Sequence, residues 1–491
     1  MVTQLFSNEP LLRPKTSLTY LCMHGHFYQP PREDPFTGQL PVEPGAAPFA
    51  NFNEKITTEC YRPNADAGNF EAMSYDMGPT LASWLEQSHF DVYQRILASE
   101  HYHMQHYGVS NALAQAYNHT ILPLANTRDK RTQILWGLQD YRHRYGHDAH
   151  GMWLAETAVD IESLDIMAQC GITYTVLAPW QAATGIDCTE PYIVPLHNDR
   201  HMTVFFYNAP LSGGISFDWN VTNDADVFAG SYLPTHLSPG KIIDGESQLL
   251  LVATDGELYG HHKPWRDKFL DYLVKRGAPD RGFEICSLER YMDMYPASKE
   301  VQLYVPSAWS CAHGVARWNF GCSCTEGDSS WKGSLRLALV CLAGRGNLLF
   351  EQYTRDTLKD SWAARDDYLA LHNGWETLES FWARHGKFSL TDAQSLKQAQ
   401  QTQQLLEAQY YLQYSFTSCG FFFEDLDRIE PRNDIAFARR AISLIWQALG
   451  IDLQQDFVHD LQAARSWRTQ LSGADLYQQL PAVSSDLLPS L

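Results

Sequence analysis

The chain has 491 residues, 44% hydrophobic and 19% charged, enough for a sizeable core and too ordered in composition for a disordered chain. Its net charge of -20, from 37 basic and 57 acidic side chains, argues against nucleic acid or an anionic membrane as the main partner. No apolar run approaches the roughly 18 residues of a membrane helix, and the 10 cysteines lack the dense, regular spacing of a small secreted scaffold, so a cytoplasmic protein with reduced thiols is expected.

Residues 1–16 read as a loose leader with no apolar stretch for a signal peptide. A first strand is expected at 17–23, ending at His24-Gly25-His26. Residues 27–68 are rich in Pro, Gly and Asn and read as a long loop, the kind that serves as a lid or binding loop. Helical spacing predicts helices at 79–87, 90–100, 112–122, 128–145 and 160–170. Strand-like runs recur at 152–155, 173–178, 203–207 and 249–254. Strands alternating with helices predict a parallel α/β barrel. Beyond Ser307 the pattern turns helical, at 328–347, 353–371, 374–385, 391–415 and 433–450. The expected division is a barrel domain over 17–305 and a helical domain over 306–491.

Two strand ends carry carboxylates. The run 249–254 is near-continuously apolar, as in a strand buried on both faces, and Asp255 follows it. A shorter run, 151–155, leads to Glu156. Barrel enzymes place catalytic groups at such carboxyl ends, and a retaining glycosidase needs two carboxyls about 5–5.5 Å apart. The plainer reading is that each is a helix-capping or ion-paired carboxylate; Glu156 stands just before the helix expected at 160–170.

His24 and His26 alternate on a strand and so share a face, where they can ligate a metal or donate hydrogen bonds. With Asp255 they support an alternative reading, a metal-dependent hydrolase of the deacetylase or amidohydrolase type. His119, before Pro123, is either a pocket-rim donor or a structural histidine. The segment 307–324 is dense in Trp, Cys, His and Arg. Trp309 and Trp318 are expected there as sugar platforms, and His313 and Arg317 as hydrogen-bond donors. Cys311, His313, Cys322 and Cys324 can also form a zinc site, but their one-residue spacers are tighter than the common ones, and no metal ligand is assigned.

Taken in chain order, His24-Gly25-His26 with Gln29-Pro30, His119 with Ile121-Leu122-Pro123-Leu124, Trp153-Leu154-Ala155-Glu156, and Asp255-Gly256-Glu257-Leu258-Tyr259-Gly260-His261 resemble the motifs of glycoside hydrolase family fifty-seven. Phe27-Tyr28 intervenes where the first motif usually continues directly to Gln-Pro, and Ala155 stands in place of the usual proline. The similarity covers roughly residues 17–310. The segment after it is similar to the start of an uncharacterised helical extension in one bacterial subgroup.

The family contains α-glucan-active amylases, 4-α-glucanotransferases, branching enzymes and their relatives. The resemblance implies an incomplete seven-stranded (β/α) barrel followed by a helical domain, and a retaining mechanism with no cofactor or required metal. By motif, Glu156 is the expected nucleophile and Asp255 the general acid/base. His24, His26 and His119 are expected to donate to the sugar, with Trp153, Glu257 and His261 lining the same site. The expected partner is an oligo- or polysaccharide, bound by a monomer or small homo-oligomer. A non-catalytic glucan-binding protein on the same scaffold is the remaining alternative.

Overall fold

The computed structural model describes residues 19–484 and 487–489; the leader expected at 1–16 lies outside them. Among the described residues there are nine strands: β1 (Thr19–Phe27), β2 (Ser74–Met77), β3 (Ala112–Gln115), β4 (Met152–Trp153), β5 (Tyr174–Leu177), β6 (Tyr192–Pro195), β7 (His201–Phe206), β8 (Gln248–Asp255) and β9 (Glu284–Ile285). One sheet runs β4-β3-β2-β1-β8, all parallel, and β9 takes the part of β1 that β2 does not reach. The second sheet pairs β5 in parallel with β7 and β6 antiparallel to β7.

Two slender links curl these sheets into one wall. Gly151 forms a parallel bridge to Tyr174. A Cβ at Gly151 would stand 2.3 Å from the Tyr174 ring, so only glycine permits that approach. On the other side, Asn208 N–H donates to Leu251 O at 2.7 Å. The result is an incomplete parallel barrel, as expected, with β1–β5, β7 and β8 as its seven staves.

Period-two alternation sorts the strands' side chains. Tyr20, Cys22, Leu113, Trp153, Tyr174, Val176, Phe205, Leu249, Leu251 and Ala253 meet in one apolar cluster inside the wall. Leu21, Met23, Tyr75, Leu250 and Val252 face outward into the larger core shared with the helices. On β1 the inward column runs Tyr20, Cys22, His24, His26; on β8 it runs Leu249, Leu251, Ala253, Asp255. Each is apolar at its amino end and polar at its carboxyl end.

Two expected elements differ. The segment 112–122 is β3 followed by a turn, not a helix. Its alanines favour a helix in isolation, but pairing to β2 and β4 buries them on both faces of a sheet, and that tertiary context wins. The loop expected at 27–68 becomes helical in its second half. Phe52–Ile56 starts there with Asn51 accepting from Glu54 N–H, and Arg62–Ala67 carries its proline in the first turn, where no N–H is needed.

The C-terminal region is helical. Its long members are Trp331–Thr354, Ala393–Tyr414 and Ile429–Leu449. Asp392 caps the second, and Gly450 ends the third in the left-handed conformation. Among the described residues no helix is long and apolar enough to cross a membrane.

The helical region is pinned to the barrel by buried polar contacts. Arg365, fully buried, reaches Asp129 at 2.7 Å and Thr132 at 2.8 Å on the barrel helix Thr127–Tyr145, and Trp136 of that helix donates to Arg365 O. Removing one partner of such a pair leaves the other charge poorly compensated. Arg365→Ala is therefore expected to lower the unfolding free energy by about 3–5 kcal/mol, measured by urea denaturation; a loss within experimental error would show that the pair does not clamp the two regions.

Candidate active site

The parallel register sets the first layer. His26 stands opposite Asp76 on β2 and Asp255 on β8, and His24 opposite Ser74 and Ala253. Residues in register on neighbouring strands point the same way, so these groups share the inner face. Asp76 is fully buried beneath both imidazoles: Oδ1 lies 2.9 Å from His24 Nε2 and Oδ2 2.7 Å from His26 Nδ1. Gln115 also donates to Asp76 Oδ2. Trp153 stacks on both rings, at 4.8 Å from His24 and 5.2 Å from His26.

Electrostatics divide the histidines. Burial works against a proton on His26, but the Asp76 carboxylate, helped by Asp255 and Glu257, overcomes it and pushes the imidazole up to about 9. Burial and the His26 charge together hold His119 well below its ordinary value. At neutral pH His26 is thus an imidazolium donating from Nδ1 to Asp76 and from Nε2 to His119 Nε2, 3.2 Å away. Neutral His119 must then carry its proton on Nδ1, where it donates to Ser418 Oγ at 2.6 Å. Ser418 belongs to the helical region, so that region completes the histidine chain. Tyr28 stacks on His119 at 3.8 Å.

Glu156 follows β4 with φ 58° and ψ 22°, left-handed backbone that a side-chain-bearing residue seldom adopts. Strain of this kind concentrates at functional sites. The reading of Glu156 as a helix cap is not realised: Asp160 caps Ile161–Gln169. Glu156 Oε2 instead accepts from Trp309 Nε1 at 2.9 Å and Ser310 Oγ at 2.6 Å. Among the described residues Oε1 accepts no hydrogen bond. Burial, and to a lesser degree the Asp255 charge, raise the Glu156 carboxyl above its ordinary value; the two donors and His26 pull the other way.

Asp255 ends β8 exposed, whereas Glu257, two residues on, is buried. Tyr61 OH donates to Glu257 Oε1 at 2.7 Å, with Tyr28 N–H at 3.3 Å and Gln29 Nε2 at 3.4 Å. Burial and the neighbouring Asp255 charge push Glu257 up to about 7. The proton-holding environment in the unliganded protein thus surrounds Glu257.

The remaining candidates are distributed elsewhere. His261 Nδ1 pairs with Glu59 Oε2 at 2.6 Å, behind the Glu257 turn. Trp318 is fully buried in the helical core. Arg317 is buried against Phe422 and donates to Cys324 O, so neither residue offers a face to a sugar. His313 lies 3.3 Å from Cys324 Sγ. Trp309 reaches the site, but with its indole N–H engaged by Glu156.

The alternative of a metal bound by His24, His26 and Asp255 does not survive. Asp76 occupies one nitrogen of each histidine, and His119 takes the second nitrogen of His26. Among the described residues the one group of three or more metal-ligating side chains with converging atoms is Cys311, His313, Cys322 and Cys324.

Asp76, Ser310 and Ser418 are outside the candidates that the sequence offers. Asp76 did carry a signal, a carboxylate at the end of the short run 74–77 that follows the long loop. The two serines carried none, because their partners are distant in the chain.

The model of glycosyl hydrolase family 57 matches residues 46–306, and that of a domain of unknown function, DUF3536, matches 328–486. The chain therefore belongs to glycosyl hydrolase family 57, with an uncharacterised helical domain after the family core. Comparison with curated proteins finds no match. Among solved structures it resembles the exo-type maltose-forming amylase of Pyrococcus sp. ST04, with TM-score 0.71 and 13% identity over 90% of this chain and 82% of that one. It also resembles the branching enzyme of Pyrococcus horikoshii, with TM-score 0.61 and 15% identity over 96% and 99%. The 4-α-glucanotransferase of Thermococcus litoralis gives TM-score 0.55 and 16% identity over 88% of this chain and 60% of that one. At these identities the likeness is one of fold.

The raised Glu257 pKa has a measurable consequence. Unfolded, this carboxyl ionises near 4.5; folded, near 7. Its contribution to stability is complete below the lower value and is lost as pH rises through the upper one, a decline of about 3 kcal/mol. Glu257→Gln keeps an acceptor for Tyr61 and cannot ionise. Urea-unfolding free energies at about pH 5 and about pH 8 are expected to fall more in the parent than in this variant; equal falls would show that Glu257 is not the group responsible.

Proposed function

We propose that this protein is a retaining glycosidase or transglycosidase acting on α-1,4-linked glucans, with a catalytic barrel to residue 305 and a helical domain from 306 onward. The observation that carries the reading is Glu156, held in left-handed backbone with one carboxylate oxygen tied by Trp309 and Ser310 and the other unclaimed. A carboxylate so oriented has one oxygen to present to an anomeric carbon. Family membership supports α-glucan as the substrate class, since the structurally similar proteins include an amylase, a glucanotransferase and a branching enzyme.

In this mechanism Glu156 attacks the anomeric carbon and Asp255 protonates the leaving oxygen. Water or an acceptor hydroxyl then gives its proton to Asp255 and releases the glycosyl group from Glu156. The Trp309 and Ser310 donors favour the ionised nucleophile against the burial that opposes it. Asp255 is exposed in the free protein, so the bound glucan itself must cover it and exclude water there. The His26 imidazolium supplies a fixed positive charge on the inner face beside both carboxylates, suited to developing negative charge on substrate oxygens.

Asp255→Asn is expected to lower kcat on amylose by about 10²–10⁴-fold, and Glu156→Gln by at least as much. Azide separates the roles: with an activated glucoside, Asp255→Ala should yield the glycosyl azide of retained configuration and Glu156→Ala that of inverted configuration. Unchanged turnover in both variants would end the catalytic assignment. Binding of glucan with no turnover by the parent protein would point instead to the non-catalytic glucan-binding alternative. Product sizing and linkage analysis from malto-oligosaccharides then assigns hydrolysis, disproportionation or branching.

Loss of the Ser310 hydroxyl removes a hydrogen bond to a charged group, worth about 1.5–3 kcal/mol. Ser310→Ala is accordingly expected to cut kcat about tenfold or more while leaving KM for short glucans near the parent value. An unchanged kcat would show that this donor does not orient Glu156.

A further inference from the structure

The segment that supplies Trp309 and Ser310 runs directly into a cluster of three thiols and an imidazole. Cys311 follows Ser310, and His313 stands two residues on. Cys322 and Cys324 return to the same point after the short helix Ala316–Asn319. Gly314 and Gly321, at φ 73° and 90°, make the two turns. A Cβ at either would stand 2.7 Å from Pro306 O or 2.3 Å from Ser329 O, so the path of the loop depends on both glycines.

The four ligand atoms all lie within 4.8 Å of one another. Cys311 Sγ is 3.7 Å from Cys322 Sγ and 4.0 Å from Cys324 Sγ, and Cys324 Sγ is 3.3 Å from His313 Nδ1. A disulfide requires about 2.05 Å. A tetrahedron with Zn–S arms of about 2.3 Å has S–S edges of about 3.8 Å, close to the 3.7 and 4.0 Å between these sulfurs.

The surroundings suit an anionic metal centre. Zinc with three thiolates and one neutral imidazole carries a net charge of −1. Two buried cations flank it. Arg317 donates to Cys324 O at 2.9 Å, and Lys332 Nζ reaches Thr325 Oγ1, on the residue after Cys324, at 3.5 Å. Among the described residues neither cation forms an ion pair.

We propose that Cys311, His313, Cys322 and Cys324 bind one zinc ion, and that this ion locks the loop presenting Trp309 and Ser310 to Glu156. The soft donor set selects zinc over the hard cations, and four protein ligands that leave no open position give it a structural role. Binding replaces three S–H bonds with Zn–S bonds and releases three protons to water. The four ligands are positioning residues, and the second half of the proposal rests on the catalytic reading of Glu156. The tight spacers that weighed against a site concern chelation by one local turn; here two such pairs are brought face to face by the fold.

The test begins with metal content. The full-length protein, purified under reducing conditions without chelator, is expected to carry one zinc per chain by elemental analysis and native mass spectrometry. A Cys322→Ser/Cys324→Ser variant is expected to carry none. Because that variant can fail to fold, the parent protein is also stripped with a chelator and titrated with cobalt(II). One equivalent should give the visible and thiolate-to-metal charge-transfer bands of a tetrahedral sulfur-rich site. Substoichiometric metal both as purified and after reduced incubation with zinc or cobalt would overturn the site. So would iron with acid-labile sulfide, or a Cys311–Cys322 disulfide in the peptide map.

Stripping the parent protein is expected to lower glucan turnover about tenfold or more, and zinc to restore it; unchanged turnover in the stripped protein would overturn the link to Glu156. Stoichiometric zinc in a protein with no turnover of any glucan would support the metal site while ending the catalytic reading, and glucan turnover without bound metal would do the reverse.

Discussion

The buried Asp76 carboxylate is the contact on which the inner face of the barrel depends. Two imidazoles on adjacent inward positions of β1 cannot be taken out of water without hydrogen-bond partners, and Asp76 serves both from the next strand. Its two oxygens fix the orientation of both rings. Burial and the proton it holds on His26 together keep His119 neutral, which sets the direction of the whole chain out to Ser418. The parallel register makes this possible, because it brings Asp76, His26 and Asp255 onto one level of one face.

The second dependence runs through Glu156. Its left-handed backbone and its two donors tie the end of β4 to the segment 307–324 that leads into the helical region. The antiparallel bridge between Val159 and Ser307 anchors the same segment one turn away. The helical region therefore does more than cover the barrel: Ser418 ends the histidine chain, and the connector orients the candidate nucleophile. A fold that shares its barrel with amylases and branching enzymes has made its inner face depend on elements beyond that barrel.

The two carboxylates sit in unequal environments, though not in the arrangement that motif position suggests. Glu156 is enclosed and hydrogen-bonded, Asp255 is open to water, and the strongly raised carboxyl is Glu257. Tyr61, Gln29 and the Tyr28 backbone cover Glu257, and they come from the long segment read as a loop. Half of that segment folds into short helices that close over the strand ends. The group that favours a proton is therefore the enclosed Glu257, while Asp255 at the end of β8 stands open to water.

Strand periodicity and apolar runs were legible locally. They sufficed to place His24 and His26 on one face, to set Glu156 and Asp255 at strand ends, and to anticipate a parallel barrel followed by helices. The alanine-rich 112–122 misled, since helix propensity is a local quantity and strand pairing is not. By itself the sequence determined which side chains face inward, because alternation has a period of two residues and needs no partner to be read. Only the tertiary structure decided what those side chains meet: Asp76 lies 52 residues from His24, Ser310 lies 154 from Glu156, and Ser418 lies 299 from His119. Hydrogen bonding, burial and the resulting proton affinities are properties of those encounters, and separation along the chain leaves no periodic trace of them.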